Sequence, residues 1–242
     1  MSKLQKSHGN MYDWVSHVHA HIGGECPHKC TYCYVAGPEG DMRPEQFRGP
    51  VRMLDGALAV DYGTGKTIFI DHCHDLFAEQ VPDEMIRDVL LHCHRYPKNT
   101  YVYQTKNPLR LWRFKLWIPK GSWLGCTIET NRDTKAISTA PAPYDRMCQI
   151  GSKSFGEFKR FITIEPILDF DPDPFIAWIV YAKPDFVNIG ADSKRHGLDE
   201  PSPDKIRALV KGLQDAGITI KKKHNLVRLV PEYAGVSVED PQ

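Results

Sequence analysis

No stretch of this sequence approaches 18 uninterrupted apolar residues, which excludes an ordinary transmembrane helix. An N-terminal apolar run is also missing, so its seven cysteines point to a reducing compartment; a secreted chain would carry a leader and paired cysteines. A cytoplasmic protein with no membrane partner is expected. Neither sign of charge is in excess: 31 Lys and Arg against 30 Asp and Glu leave a net of +1. No global field therefore points to nucleic acid, and only local basic clusters could supply one. Internal repeats and low-complexity tracts are absent. A chain of 242 residues fits one α/β unit. We expect a single domain over 1–242, with a core at about 15–224 and a loosely held tail at 230–242.

What stands out is the run Gly23-Gly24-Glu25-Cys26-Pro27-His28-Lys29-Cys30-Thr31-Tyr32-Cys33-Tyr34. It packs the three thiolates of Cys26, Cys30 and Cys33 into one tight loop, and no fourth cysteine follows at a matching spacing. Electron-transfer 4Fe-4S sites take four thiolates, so three leave one iron open to a small molecule. Zinc with His28 or His21 as fourth ligand is one rival reading, and a disulfide pair with one cysteine over is another. Zinc sites usually show a second, distant ligand pair, which is missing here.

Short apolar or β-branched runs alternate with helical stretches, which reads as βα units around a parallel sheet. The strands are expected at 15–22, 67–72, 100–105, 123–129, 161–165 and 186–189, with an edge strand at 218–222. Helical spacing marks 83–95 through Met85, Ile86, Val89 and Leu90, and 203–216 through Ile206, Leu209, Val210 and Leu213. The segment 38–65 reads as a loop with a short helix. Polar groups close five successive strands: Asp71 and His72, Gln104 to Lys106, Glu129 to Asn131, Glu165, and Asp192 to Lys194. In barrels of parallel strands the active site lies at those ends, although turn residues collect there too. Gly63-Thr64-Gly65-Lys66-Thr67 is a turn and no phosphate loop, because Val60 stands where the first glycine belongs.

The cysteine spacing, with Tyr32 just before the last cysteine, resembles the radical S-adenosylmethionine (radical SAM) superfamily. Asp71-His72-Cys73-His74-Asp75-Leu76-Phe77, Gln104-Thr105-Lys106, Trp123-Leu124-Gly125-Cys126-Thr127-Ile128-Glu129, Ile164-Glu165-Pro166-Ile167 and Ile189-Gly190-Ala191-Asp192-Ser193 narrow it. In order and spacing they look like a phage- and prophage-associated radical SAM family distantly similar to spore photoproduct lyase. The match runs from about Gly23 to Lys223. The resemblance implies a partial (βα)6 TIM-like barrel, a 4Fe-4S cluster, and SAM cleaved to methionine and a 5'-deoxyadenosyl radical. A reductant such as flavodoxin or ferredoxin would supply the electron.

It also implies roles. Cys26, Cys30 and Cys33 would hold the cluster. Tyr32 would lie under the SAM adenine, Lys106 would meet the SAM carboxylate, and Asp71 would receive the ammonium. Glu129, Thr130 and Asn131 would hold the ribose, with Glu165 in the same cofactor-binding set. A surface salt bridge or helix cap is the plainer role for these residues. Cys126 or Cys73 would donate hydrogen to a product radical, or else be small buried hydrophobes. His72 would move protons.

His17, His19 and His21 alternate, so on a strand they share one face. Three imidazoles against a helix layer would be costly to desolvate, so the lumen is the expected side. That makes His19 and His21 candidates for substrate, with His74, Asp192, Lys194 and Lys223. Lys194, Arg195, Lys221, Lys222, Lys223, His224 and Arg228 form either a phosphate-contacting rim or an ordinary solvated cluster. Trp112, Trp117 and Trp123, among Arg110, Arg113 and Lys115, either stack on an extruded base or fill the core. The family resemblance implies a nucleotide or DNA substrate, a modified thymine of phage DNA whose amino-acid adduct is rearranged in the host cytoplasm. Photoproduct-lyase-like repair, or a non-catalytic Fe-S or zinc module acting through a partner, are the alternatives.

Overall fold

A computed structural model describes residues 4–35 and 45–234. Residues 38–44 of the expected loop and 235–242 of the expected tail lie outside the described residues.

Runs rich in β-branched and aromatic residues form the strands. In chain order they are β1 (Gln5–Lys6), β2 (His17–His19), β3 (Ile22–Gly23), β4 (Arg52–Met53), β5 (Thr67–Ile70), β6 (Thr100–Thr105), β7 (Trp123–Thr127), β8 (Lys159–Ile164), β9 (Phe186–Ile189) and β10 (Thr219–Lys222). The helices are α1 (Asp83–His94), α2 (Pro108–Arg113), α3 (Pro143–Ile150), α4 (Pro172–Ala182) and α5 (Pro203–Asp215). A proline in the first turn starts each of α2 to α5, where its missing N–H costs nothing. Asn107 and Ser202 cap α2 and α5 by accepting from the backbone N–H of Arg110 and Lys205.

The fold is mixed α/β around a mostly parallel sheet. Its eight strands run in the order β1-β2-β5-β6-β7-β8-β9-β10, and β3 pairs with β4 apart from it. Only the β1–β2 pairing in the large sheet is antiparallel. Each parallel strand therefore lies beside the one before it, and each return needs a crossover. Crossovers of one hand put the helices on a single face.

Alternation along the strands divides the core in two. Ile68, Tyr101, Leu124, Ile162 and Val187 face the helices and pack with Ile86, Val89, Ile179 and Leu209. Val18, Phe69, Val102, Phe161 and Phe186 face the other way, where Tyr12, Val15 and the partly buried Trp14 and Trp123 cover them. The segment between β1 and β2 thus caps the helix-free face. Gly125 makes room there, since a Cβ on it would stand 2.1 Å from Phe161 Cζ.

One open alternative is resolved here. Trp123 is no base-stacking platform: it packs on Trp14 at 4.9 Å between ring centroids and on Phe186 at 5.9 Å. Of the expected tail only residues 230–234 are described: Val230 is fully buried and Lys222 Nζ lies 4.0 Å from the Tyr233 ring centroid.

Candidate active site

The cysteine loop follows β3, and Cys26, Cys30 and Cys33 all line one cavity of about 690 Å³. The wall continues past the C-terminal ends of β5 to β10 and takes in Asn10 and Tyr12 from the segment after β1. Two buried carboxylates clamp the loop. His28 Nε2 lies 2.8 Å from Asp75 Oδ2, which also accepts from Thr105 Oγ1 at 3.0 Å and from the Lys106 backbone N–H at 2.7 Å. The Tyr32 hydroxyl donates to Glu129, which accepts from Lys106 Nζ at 2.8 Å and Arg146 Nη1 at 2.9 Å. On the far side of the loop, Thr31 N–H donates to Ile137 O at 2.9 Å and Thr139 N–H to His28 O at 2.8 Å.

Burial pushes the Asp75 carboxyl up, but His28 and the hydrogen bonds from Lys106 and Thr105 outweigh it and leave it at about 2. A folded-state value depressed below the unfolded one means stability that is present above the unfolded value, near 4, and lost as pH falls toward 2. Asp75→Asn is therefore expected to flatten the acid limb of stability between those values. The difference is on the order of 2 kcal/mol, read by thermal unfolding along a pH series. An acid limb as steep as in the unmodified protein would refute this assignment.

Burial, with the Asp75 charge beside it, pushes the Cys26 thiol up to about 12. Among the described residues no three His, Cys, Asp or Glu side chains converge where a single ion could sit. The two imidazoles weighed as zinc ligands are engaged elsewhere: His28 with Asp75, His21 with His92. In a 4Fe-4S cluster each cysteine binds a different iron, so three separate sulfurs around one cavity fit that donor set.

Several expected residues do line the cavity: Tyr32, His72, His74, Lys106, Glu165, Asp192, Lys194 and Lys223. Burial pushes the His72 imidazole down, toward the neutral form, and its buried Nδ1 has no hydrogen-bond partner among the described residues. Glu165 accepts from Asn10 Nδ2 at 2.8 Å, Asn225 Nδ2 at 2.9 Å and Lys223 Nζ at 2.7 Å. Only glycine at 190 allows this, because a Cβ there would come within 2.7 Å of Glu165 Oε1. The Asp192 carboxylate holds its own loop through Lys194 N–H at 3.1 Å and His196 Nδ1 at 2.7 Å.

Other expectations are corrected. Asp71 borders the cavity; its Oδ1 accepts from the backbone N–H of His21 at 2.6 Å and Ile22 at 2.9 Å, and its buried Oδ2 has no hydrogen-bond partner among the described residues. Strand β7 ends at Thr127, before the residues expected to hold a ribose. Glu129 is fully buried behind Tyr32 and Lys106. Thr130 donates to Asp169 O at 2.7 Å and Asn131 to Asp171 O at 3.0 Å, pinning a loop away from the cavity. Burial and the alternation of β7 turn Cys126 into the helix-side core and its thiol up to about 12, while Thr127 faces the cavity. Cys73 lines the cavity instead, with the Tyr34 hydroxyl at 3.7 Å.

His19 and His21 lie on the helix side as well, because Val18 takes the other face of β2. Their burial is offset by polar partners: His21 Nε2 is 2.8 Å from His92 Nδ1 and 2.9 Å from the Tyr62 hydroxyl, and His19 Nε2 is 3.2 Å from Ala57 O. The basic residues after β9 form no single rim. Lys223 pairs with Glu165, Arg228 with Glu200 and His224 with Asp13, while Lys221 lies over Phe186.

Sequence reasoning missed Asn10, Tyr12, Asn225 and Arg146. The Tyr12 hydroxyl donates to Gln104 Oε1 at 2.7 Å and lies 2.7 Å from Thr163 Oγ1. No motif or period marks any of the four.

A family model described as "Protein of unknown function (DUF5131)" matches residues 17–180. No curated protein matches. Among solved structures the chain is similar to a spore photoproduct lyase variant with bound AdoMet and dinucleoside spore photoproduct: TM-score 0.53, 9% identity, 85% of this chain and 63% of that one. A second variant of that lyase gives TM-score 0.55, 8% identity, and 84% and 63% coverage. A third gives TM-score 0.60, 6% identity, and 91% and 80% coverage. The chain thus spans less than two thirds of the length of the first two, and the likeness is one of fold.

Proposed function

We propose, for a chain that belongs to the family described as "Protein of unknown function (DUF5131)", a radical SAM enzyme whose Cys26, Cys30 and Cys33 hold a 4Fe-4S cluster. The observation that carries this reading is that all three cysteines line one cavity at the strand ends, in a fold similar to that of spore photoproduct lyase. Sequential parallel strands with helices on one face support a partial (βα)6 barrel as its frame, and a single domain. When bound, the cluster and SAM supply a 5'-deoxyadenosyl radical, chemistry that no side chain here can provide.

The chain's own residues bind and orient. Lys106, one of the cations lining the cavity, would meet the SAM carboxylate with a charge-assisted hydrogen bond. His72, pushed by burial toward its neutral form and with no hydrogen-bond partner for Nδ1 among the described residues, takes or returns a proton. The Glu165–Lys223 pair, with Asp192, Lys194 and His74, faces the substrate. That substrate is a nucleotide, a modified thymine of phage DNA, whose amino-acid adduct is rearranged by hydrogen abstraction. The enzyme is then an isomerase or mutase of the host cytoplasm, served by flavodoxin or ferredoxin. A second reading, lyase-type repair, is favoured by the dinucleoside photoproduct bound in one similar structure.

Anaerobic reconstitution with iron and sulfide, then dithionite and SAM, tests both. 5'-Deoxyadenosine that rises with thymine-modified DNA supports the first reading, and SAM regenerated at each turnover supports the second. An intact cluster that yields neither deoxyadenosine nor any change in modified or photoproduct-bearing DNA would sink the enzyme reading in favour of a non-catalytic module.

A further inference from the structure

Behind the cavity wall, one carboxylate faces two cations. Glu129 and Arg146 have no exposed side-chain surface and Lys106 little, yet among the described residues both cations pair with Glu129 alone. Arg146 Nη1 also donates to Thr127 O at 2.6 Å, whereas its buried Nε and Nη2 meet no hydrogen-bond partner among the described residues. A buried ion is tolerated when it is paired and its donors are satisfied, and Arg146 is neither fully paired nor satisfied. Without it, Lys106 and Glu129 would be a neutral pair. With it, these three side chains carry one positive charge in excess, while Asp75 on the loop's other side is bonded to His28.

That excess lies against the cysteine loop. Tyr32, between Cys30 and Cys33, donates its hydroxyl to Glu129, and Lys106 Nζ stands 5.3 Å from the centroid of its ring. Lys106, Tyr32 and the three sulfurs share one cavity. A cubane core of formal charge two plus, held by three thiolates, carries one net negative charge, and two after reduction.

We propose that Arg146 is a positioning residue for charge: its buried guanidinium compensates the anionic iron–sulfur group held by Cys26, Cys30 and Cys33. This rests on the reading that those cysteines bind a cluster. Arg146 is then a burden to the metal-free protein and an asset to the loaded one. Net charge near a cluster sets its reduction potential, so the doubly negative reduced state gains most from Arg146.

Arg146→Met removes the charge while filling the volume, and Arg146→Gln keeps a hydrogen-bond donor for Thr127 O and Glu129. Two readouts are melting temperature before and after reconstitution with iron and sulfide, and the midpoint potential of the cluster. Both variants are expected to melt, metal-free, no lower than the unmodified protein. Their rise in melting temperature on loading should be at least halved, and their potential should move to more negative values. Arg146→Lys, which keeps the charge, should restore the potential. An ordinary structural ion pair gives the reverse pattern: a metal-free protein that melts well below the unmodified one, with loading shift and potential unchanged. That pattern overturns the proposal. Should Arg146→Met fail to fold, Arg146→Gln and Arg146→Lys still decide it through the potential. An unmodified protein that takes up no iron overturns the cluster reading itself, an outcome distinct from a loaded protein whose potential ignores Arg146.

Discussion

Replacing Cys26, Cys30 and Cys33 together by alanine is expected to abolish iron and sulfide uptake, and with it every trace of 5'-deoxyadenosine, while the fold survives. All three cysteines line the cavity, and none is fully buried or part of either hydrophobic core. What holds the loop is elsewhere: His28 on Asp75, Tyr32 on Glu129, and backbone hydrogen bonds from Thr31 and to His28. Losing three thiols from a cavity wall should therefore cost the metal-free protein no more than about 1 kcal/mol, the range of changes that create no core void and bury no unpaired group. Each single replacement should be nearly as damaging to loading, since a site already one ligand short of four has none to spare. Cys93→Ala and Cys126→Ala are the controls. Both thiols are fully buried on the helix side, so these changes should lower stability by a cavity cost and leave iron content alone. Iron and sulfide analysis with thermal unfolding of the same samples reads both effects. A triple variant that keeps the iron of the unmodified protein would remove the cysteines from the site, and a colourless unmodified protein holding one zinc would replace the enzyme with the zinc module.

Strands with strong β propensity and a buried partner on each side were legible from residues alone. Thr100–Thr105 and Phe186–Ile189 have the expected bounds, and helices Asp83–His94 and Pro203–Asp215 end within one residue of theirs. The expected strand at 15–22 is instead β2 and β3 with a break between them, because Ile22–Gly23 leaves the sheet to pair with Arg52–Met53. α2, α3 and α4 were not anticipated. α2 and α3 are short, and α4, FIAWIVYA after its prolines, is apolar on nearly every side and so lacks the alternation of faces that marks a helix.

The candidate site divides along the same line. Cysteine spacing is local and survives in a string of letters, as do polar residues at strand ends. Which face of a strand a residue takes depends on register, and one residue of register moves a side chain to the other face. Cys126, His19 and His21 were misplaced for that reason, the register being set by Tyr12 and Trp14 packing over Val18, Phe69 and Phe161. Arg146 and Asn10 reach the site through tertiary contacts far along the chain, 17 residues to Glu129 in one case and 155 to Glu165 in the other. Neither contact falls within a helical or strand period that a local reading would test.

The second large effect is expected from Glu129→Ala. Burial pushes the Glu129 carboxyl up, but Arg146 and Lys106 outweigh it and hold it well below the usual carboxylate range. Removing that carboxylate leaves two cations without their shared counter-charge, one of them fully buried, and releases the Tyr32 hydroxyl. Breaking a buried ion pair by deleting one partner costs about 3–5 kcal/mol. In a chain of this size that is roughly a 10 °C fall in melting temperature, measured on metal-free protein. The loss should be strongly non-additive with Arg146→Met. Lys106 lines the cavity and its side chain is 14% exposed, so once Arg146 is gone it can turn its ammonium toward solvent. The Glu129→Ala/Arg146→Met double variant is thus expected to recover most of what Glu129→Ala alone loses, a coupling that a double-mutant cycle reads directly. Losses that simply add would mean that packing around Glu129, and no uncompensated charge, holds this corner of the fold together.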